Sequence, residues 1–162
     1  MTDTSSLIMW LDPGLDTGWA TWQPAARLFF SGHVRGVITA GQLVDEALSL
    51  ADGNGAVGWE SFIIRPGSSR LRLDTTALEV IGTAKWLAHV TGSRVLPQLQ
   101  PDARKLGEKH LRTVGWHRPG PDHVTSAASH LLSYLLQERQ LPTRLLEKIT
   151  RKQEEETWTR RS

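Results

Sequence analysis

Three acidic residues stand where an acid serves chemistry better than stability. Asp12 closes the apolar run SLIMWLD (residues 6–12), Glu60 closes the apolar run AVGWE (residues 56–60), and Asp122 opens an amphipathic stretch at residues 122–140. Burying an ionised carboxylate costs several kcal/mol unless a cation or partner offsets it. If the two apolar runs are neighbouring strands, Asp12 and Glu60 reach one sheet edge and Asp122 can close the group. Oxygen ligands of this kind suit Mg2+ or Mn2+. Two such ions about 4 Å apart serve phosphodiester hydrolysis, one making a hydroxide nucleophile and the other stabilising the leaving oxygen. Each acid alone also has a structural use. Asp before Pro13-Gly14 is turn chemistry, and Asp at a helix start is capping chemistry.

The elements that must position these acids follow from periodicity. Residues 6–12 read as a buried central strand stopped by Pro-Gly, and residues 17–23 and 27–34 read as its antiparallel neighbours. Residues 41–52 carry Leu43, Val44, Ala47, Leu48 and Ala51 on one helical stripe. Residues 56–62 then form a second buried strand. A helix is expected over residues 74–91, capped by Asp74 or Thr75, with Leu78, Ile81, Leu87 and Val90 on its apolar side and Gly82 packed closely against a neighbour. A fifth strand at 93–99, one or two short basic helices at 101–115, a loop at 116–121 and the amphipathic helix at 122–140 complete the order. The piece TRLLEKI and a fraying charged tail end the chain. The layout is an α/β fold whose mixed five-stranded sheet has three antiparallel strands followed by two parallel ones, with helices on both faces. A single domain over 1–162 is expected, its core at about 6–140 and a C-terminal helix and tail at 141–162.

Composition narrows the chemistry further. The chain has 162 residues and no Cys, which removes disulfides, thiolate nucleophiles and Cys-type zinc sites. No run of about 18 apolar residues spans a bilayer, so no membrane partner is expected. Residues 1–100 hold 7 Lys and Arg against 9 Asp and Glu, whereas residues 101–162 hold 12 against 8 and four of the six His. A basic half of this kind suits a polyanionic partner, although charge by itself also describes a solvated surface.

From about Leu7 to Leu136 the sequence resembles the RuvC-like Holliday junction resolvases of the ribonuclease H/integrase superfamily, and their short phage-encoded members most. The opening WLDPGLDTGW is similar to the family's strand, DPG turn and TG, which puts Asp12 at the first metal-ligand position. VGWE puts Glu60 at the second. IGTAKWL, with Lys85, resembles the helix such resolvases use for dimerisation and packing, and PDARK, with Lys105, resembles a basic stretch on the DNA-facing side. In DHVTSAASHLL, His123 fits a ligand slot, but Ser126-Ala127 stands where the family has Asp-Ala. The resemblance implies a ribonuclease H-like fold and a homodimeric, Mg2+- or Mn2+-dependent endonuclease. Such an enzyme cuts four-way or related branched DNA with paired symmetric nicks, in the cytoplasm of a bacterium or a phage-infected cell, without a nucleotide cofactor.

Within that frame the expected ligand set is Asp12, Glu60, Asp122 and His123, with a weaker second metal because Ser126 brings no charge. Asp122 is the substitute acid, since 122 and 126 share a helix face. His123 serves as ligand, as general acid or as a plain surface residue. Phosphate contacts are expected from Arg65, Arg70, Arg72, Lys85, Lys105, Lys109, Arg112 and Arg118, and Phe62 or Ile63 is placed to wedge into an opened junction. His110, His117, His123 and His130 recur at intervals of 7, 6 and 7, but two helical turns separate the last pair, beyond the reach of one zinc ion. Trp10, Trp19, Trp22, Trp59 and Trp86 read as core, while Trp116 and Trp158 sit in polar stretches suited to stacking on bases or on a partner subunit. Two other functions fit the residues. One is a junction-binding protein with little or no cleavage, motivated by Ser126. The other is a phosphotransferase of the actin/sugar-kinase type, whose phosphate loop is close in spacing to DPGLDTGW.

Overall fold

The computed structural model describes residues 6–59, 75–96 and 106–159. Its five-stranded sheet has the order β3-β2-β1-β4-β5. The strands are β1 (Leu7–Asp12), β2 (Asp16–Gln23), β3 (Leu28–Arg35), β4 (Gly55–Trp59) and β5 (Arg94–Val95). The helices are α1 (Val37–Leu50), α2 (Thr75–Val90), α3 (Glu108–Val114), α4 (Asp122–Gln137) and α5 (Thr143–Thr159). β1 pairs antiparallel with β2 and parallel with β4, and β3 extends the antiparallel side while β5 extends the parallel side. The expected sheet is therefore the observed one.

β1 is apolar throughout because both of its faces are covered. Leu7, Met9 and Leu11 join a core with Val44 and Leu48 of α1 and Ile81 and Leu87 of α2. Ile8 and Trp10 point the other way, into a core with Leu111 of α3, Leu131, Leu132 and Leu135 of α4, and Ile149 of α5. Period-two alternation thus sorts one continuous run into two cores. β3, at the sheet edge, is half exposed along its length.

Several boundaries and faces differ from expectation for identifiable reasons. α1 begins at Val37 rather than near 41, because Gly36 takes a left-handed φ of 88° that turns β3 directly into the helix. α4 stops at Gln137 instead of 140, where Arg139 turns left-handed (φ 54°). The charged tail does not fray: α5 runs to Thr159, continued by good helix formers such as Lys, Gln and Glu. In α2 the buried side is Ala77, Val80, Ile81, Ala84, Leu87 and Ala88. Leu78 (47%), Trp86 (63%) and Val90 (58%) are exposed, so Trp86 is not core. Among the described residues a Cβ at Gly82 would meet nothing, so the expected close packing is not seen there. Ile81 and Leu87 are buried as expected, with Val80 and three alanines beside them, while Leu78 and Val90 lie outside that face.

Trp116 is also corrected. Gly115 caps α3 in the left-handed region at φ 79°, and the amide of Trp116 donates to Leu111 O at 2.8 Å. This reversal turns the indole back against the sheet. It stacks on Phe29 at 4.4 Å and meets Trp22 at 5.0 Å, so it is buried and does not face bases. The capping residue proposed at 74, residues 60–62 and 97–99 of two expected strands, residues 101–105 of the basic stretch and the side chain of Trp158 lie outside what is described.

The ring of Trp10 occupies the space a side chain at Gly58 would need. The two residues are paired across β1 and β4, and a Cβ at 58 would fall 2.5 Å from the indole. His130 and Tyr134 hold that ring from α4, at centroid distances of 6.2 and 5.7 Å. Gly58→Ala is therefore expected to cost about 1–3 kcal/mol by overpacking. That lowers the melting temperature by roughly 4–8 °C at a cost near 2 kcal/mol. Calorimetry on the two proteins measures it.

Candidate active site at the end of the central strand

Asp12 is the last residue of β1. Strand alternation puts it on the same face as Ile8 and Trp10, the side covered by α4. Its carboxylate does not hold the turn that follows. That task falls to Thr17, fully buried, whose hydroxyl donates to Gly14 O at 2.9 Å and accepts from Gly14 N at 3.3 Å. Asp16, the other acid of the turn, pairs with Arg35 of β3 at 3.2 Å. Asp12 is left available, its side chain 16% exposed.

What meets Asp12 is the first turn of α4. Gly18 pairs with Asp12 across β1 and β2, and a Cβ on Gly18 would lie 2.0 Å from the carbonyl oxygen of His123. Only a glycine lets helix backbone come this close to strand backbone. The approach brings His123 Nδ1 to 3.0 Å from Asp12 Oδ2. An ionised carboxylate only accepts, so Nδ1 carries the hydrogen, and in the neutral ring Nε2 keeps the lone pair. Two turns on, His130 lies flat on Trp10, with 5° between the rings, and its Nδ1 bonds Ser126 O at 2.9 Å. The helix is thus held on β1 at two points, Asp12 and Trp10.

The remaining expected residues are distributed unevenly. Asp122 is the first residue of α4 and is exposed; the N-cap position is Pro121 and no side chain caps the helix, so Asp122 is not a cap. Its charge sits at the favourable end of the helix dipole. Ser126 is half-buried one turn further on. Among the described residues no three His, Asp or Glu side chains converge as a metal site would need, so Asp12 and His123 stand as a pair. Glu60, Phe62, Arg65, Arg70, Arg72 and Lys105 lie outside the described residues; β4 is described up to Trp59, which pairs with Leu11. Lys85 places its ammonium 5.5 Å from the ring of Trp59. Lys109 and Arg118 are exposed, the first on α3 and the second in the loop leading to α4. Arg112 is engaged: its Nε donates to Glu108 Oε1 at 2.8 Å, and His117 Nε2 lies 3.2 Å from the same oxygen.

The donor types at Asp12 and His123 fit a divalent cation in part. The oxygens of Asp12 suit Mg2+ or Mn2+, while imidazole is a softer ligand. A second carboxylate is needed to complete the set. Sequence reasoning missed Gly18, Thr17 and the Trp10–His130 stack. The DTG of residues 16–18 is the signal for the first two, and it carries the family resemblance without giving its physical cause.

Two outcomes follow from this geometry. In Gly18→Ala the added methyl meets backbone that cannot rotate away, so the first turn of α4 lifts and the His123–Asp12 bond breaks. The expected cost is about 1–3 kcal/mol, with the His123 ring nitrogen signals moving to their position in Asp12→Asn; unchanged signals would contradict the contact. The second concerns acid. The hydrogen bond and charge of Arg112 hold the Glu108 carboxyl below its ordinary value. A depressed carboxyl contributes stability that is present above the unfolded-state pKa and is lost as pH falls through the folded one. Helix content of α3 should fall on acidification through that window, and Glu108→Gln should flatten the dependence seen by circular dichroism.

No protein-family model matches the sequence, and no curated protein matches it either. Solved structures do. Thermus thermophilus RuvC in complex with a Holliday junction substrate superposes with a TM-score of 0.63 at 17% identity, over 83% of this chain and 95% of that one. A second structure of Thermus thermophilus RuvC gives 0.58 at 18% identity, over 82% and 95%. At such identities the likeness is one of architecture: this chain has the RuvC-like, ribonuclease H-like α/β fold.

Proposed function

We propose that this protein is a metal-dependent, structure-selective DNA endonuclease that resolves Holliday junctions or related branched DNA by paired nicks. The observation that carries the reading is the meeting of Asp12, at the end of the central strand of a RuvC-like sheet, with His123 on the first turn of α4. The neighbour solved with a Holliday junction substrate supports the substrate class. Asp12 and Glu60 hold Mg2+ or Mn2+, Glu60 being the residue that follows Trp59, the partner of Leu11. Asp122 or His123 completes the ligand set. A divalent cation held by these residues would supply water activation at neutral pH and charge stabilisation of the leaving oxygen. Asp12 fixes the His123 ring through Nδ1, which leaves the Nε2 lone pair of the neutral ring to act as ligand or, where the ring is first protonated at Nε2, that proton to go to the leaving group.

Phosphates of the branch are held by Arg65, Arg70, Arg72, Lys85, Lys105, Lys109 and Arg118, with Phe62 against the opened bases. Arg112 contributes once Glu108 releases it. Two matched nicks across a twofold substrate call for a symmetric homodimer with one site in each subunit. The exposed Leu78, Trp86 and Val90 of α2, spaced 8 and 4 residues apart, form an apolar stripe that suits the twofold contact. A second reading, junction binding with little cleavage, is favoured by one observation: Ser126 brings a hydroxyl, without charge, to a position one turn on from Asp122.

Incubation of the protein with a labelled four-way junction and with linear duplex, in Mg2+, Mn2+ or chelator, tests both readings. Nicking of the junction alone, abolished by chelator and reduced about 100-fold or more in Asp12→Asn, is the expected outcome. Ser126→Asp should accelerate nicking by restoring charge to the site. Vigorous wild-type cleavage that Ser126→Asp leaves unchanged removes the binding-only reading. Trp86→Glu should convert a dimer to monomer in sedimentation and uncouple the paired nicks.

A further inference from the structure

The C-terminal helix collects its cations on one side. Arg144, Lys148, Arg151 and Lys152 follow i, i+4, i+7, i+8 spacing on α5, which aligns side chains along a helix. Leu145, Leu146 and Ile149 take the adjoining side, against the core, with Lys152 at the border between the two. The cationic side forms an open groove of about 390 Å3 with Thr113 of α3, and among the described residues Glu147 is the one acid lining it. Arg144, Lys148 and Arg151 are exposed. Nothing in the groove belongs to the Asp12–His123 site. The groove nevertheless joins it through a short stretch of chain, since Thr113, the buried Trp116 and Asp122 lie within ten positions of one another.

We propose that this α3–α5 groove is a second phosphate-backbone site, which grips a duplex arm of the branched substrate away from the nicked centre. The inference rests on the DNA endonuclease reading for the identity of the polyanion. Four cations against one carboxylate give the charge complementarity a phosphodiester chain requires. Length agrees as well. From 144 to 152 the helix rises about 12 Å, and over that distance one strand of a duplex, at about 3.4 Å per nucleotide, passes three or four phosphates. Such contacts carry no base information; they add affinity, set orientation and steepen the salt dependence.

The test measures binding of the full-length protein to four-way junctions with long and short arms, in chelator, across a salt series. Replacing Arg144, Lys148 and Arg151 together by Gln should weaken binding to long arms about 10-fold or more and lower the slope of log K against log salt by roughly 2 to 3. The gap between variant and wild type should shrink on arms too short to reach the groove. Glu147→Lys should tighten binding to long arms and steepen the slope, a gain that misfolding cannot produce. Wild-type binding that both variants leave unchanged in affinity and slope overturns the groove alone. A loss equal on short and long arms overturns its assignment to an arm. A wild-type protein that binds no DNA overturns the endonuclease reading and the groove with it.

Discussion

Everything at the candidate site depends on one close approach, that of helix backbone to strand backbone at Gly18. The carbonyl of His123 occupies the space that any side chain at position 18 would fill. Because Gly18 is paired with Asp12, the same contact fixes where the imidazole of residue 123 meets the carboxylate of residue 12. A helix resting on ordinary side chains would stand off from the sheet by several ångströms and leave these groups apart. The glycine therefore acts through its missing Cβ: it sets a distance.

A second contact keeps that distance from drifting. Trp10 lies two residues before Asp12 on the same face, and it is clasped by His130 and Tyr134 of α4 on one side and admitted by Gly58 of β4 below. Trp19 and Gly32 repeat the arrangement between β2 and β3. Large rings opposite glycines fill the sheet surface without voids, which core packing demands. The result is a helix anchored at the end of β1 and again one strand pleat back. Such a frame holds Asp12 and His123 on rigid elements, a strand and a helix, and not on loops.

The mixed sheet and the position of Asp12 were legible because residues 6–12 and 56–60 of the sequence are apolar runs ending in acids, and β1 and β4 form within them. Side-chain faces were harder to read where size and burial disagree. α2 buries Val80, Ile81 and Leu87 together with its alanines but exposes Leu78, Trp86 and Val90; a reading that equates every large apolar residue with core holds for Ile81 and Leu87 and fails for the other three. Trp116 misled for the converse reason. Its neighbours in sequence are polar, and only the left-handed Gly115 returns it to the sheet. The role of Gly18 could not be read at all, because the residue it accommodates is 105 positions away.

The position of Ser126 carries the last step of the argument. An acid there, on the first turns of α4, would add a negative charge to a region where Asp12 already terminates a buried strand and Asp122 opens the helix. Unpaired carboxylates in such surroundings destabilise the fold until a cation arrives. With serine the demand is smaller. Asp12 Oδ2 has the N–H of His123 as its partner at 3.0 Å, so any group that takes that oxygen must compete with a hydrogen bond already made. With a hydroxyl at 126, the first turns of α4 carry one negative charge fewer than an aspartate would bring, and the electrostatic demand on the surrounding structure, which the described residues meet at Asp12 through His123, is smaller by that amount.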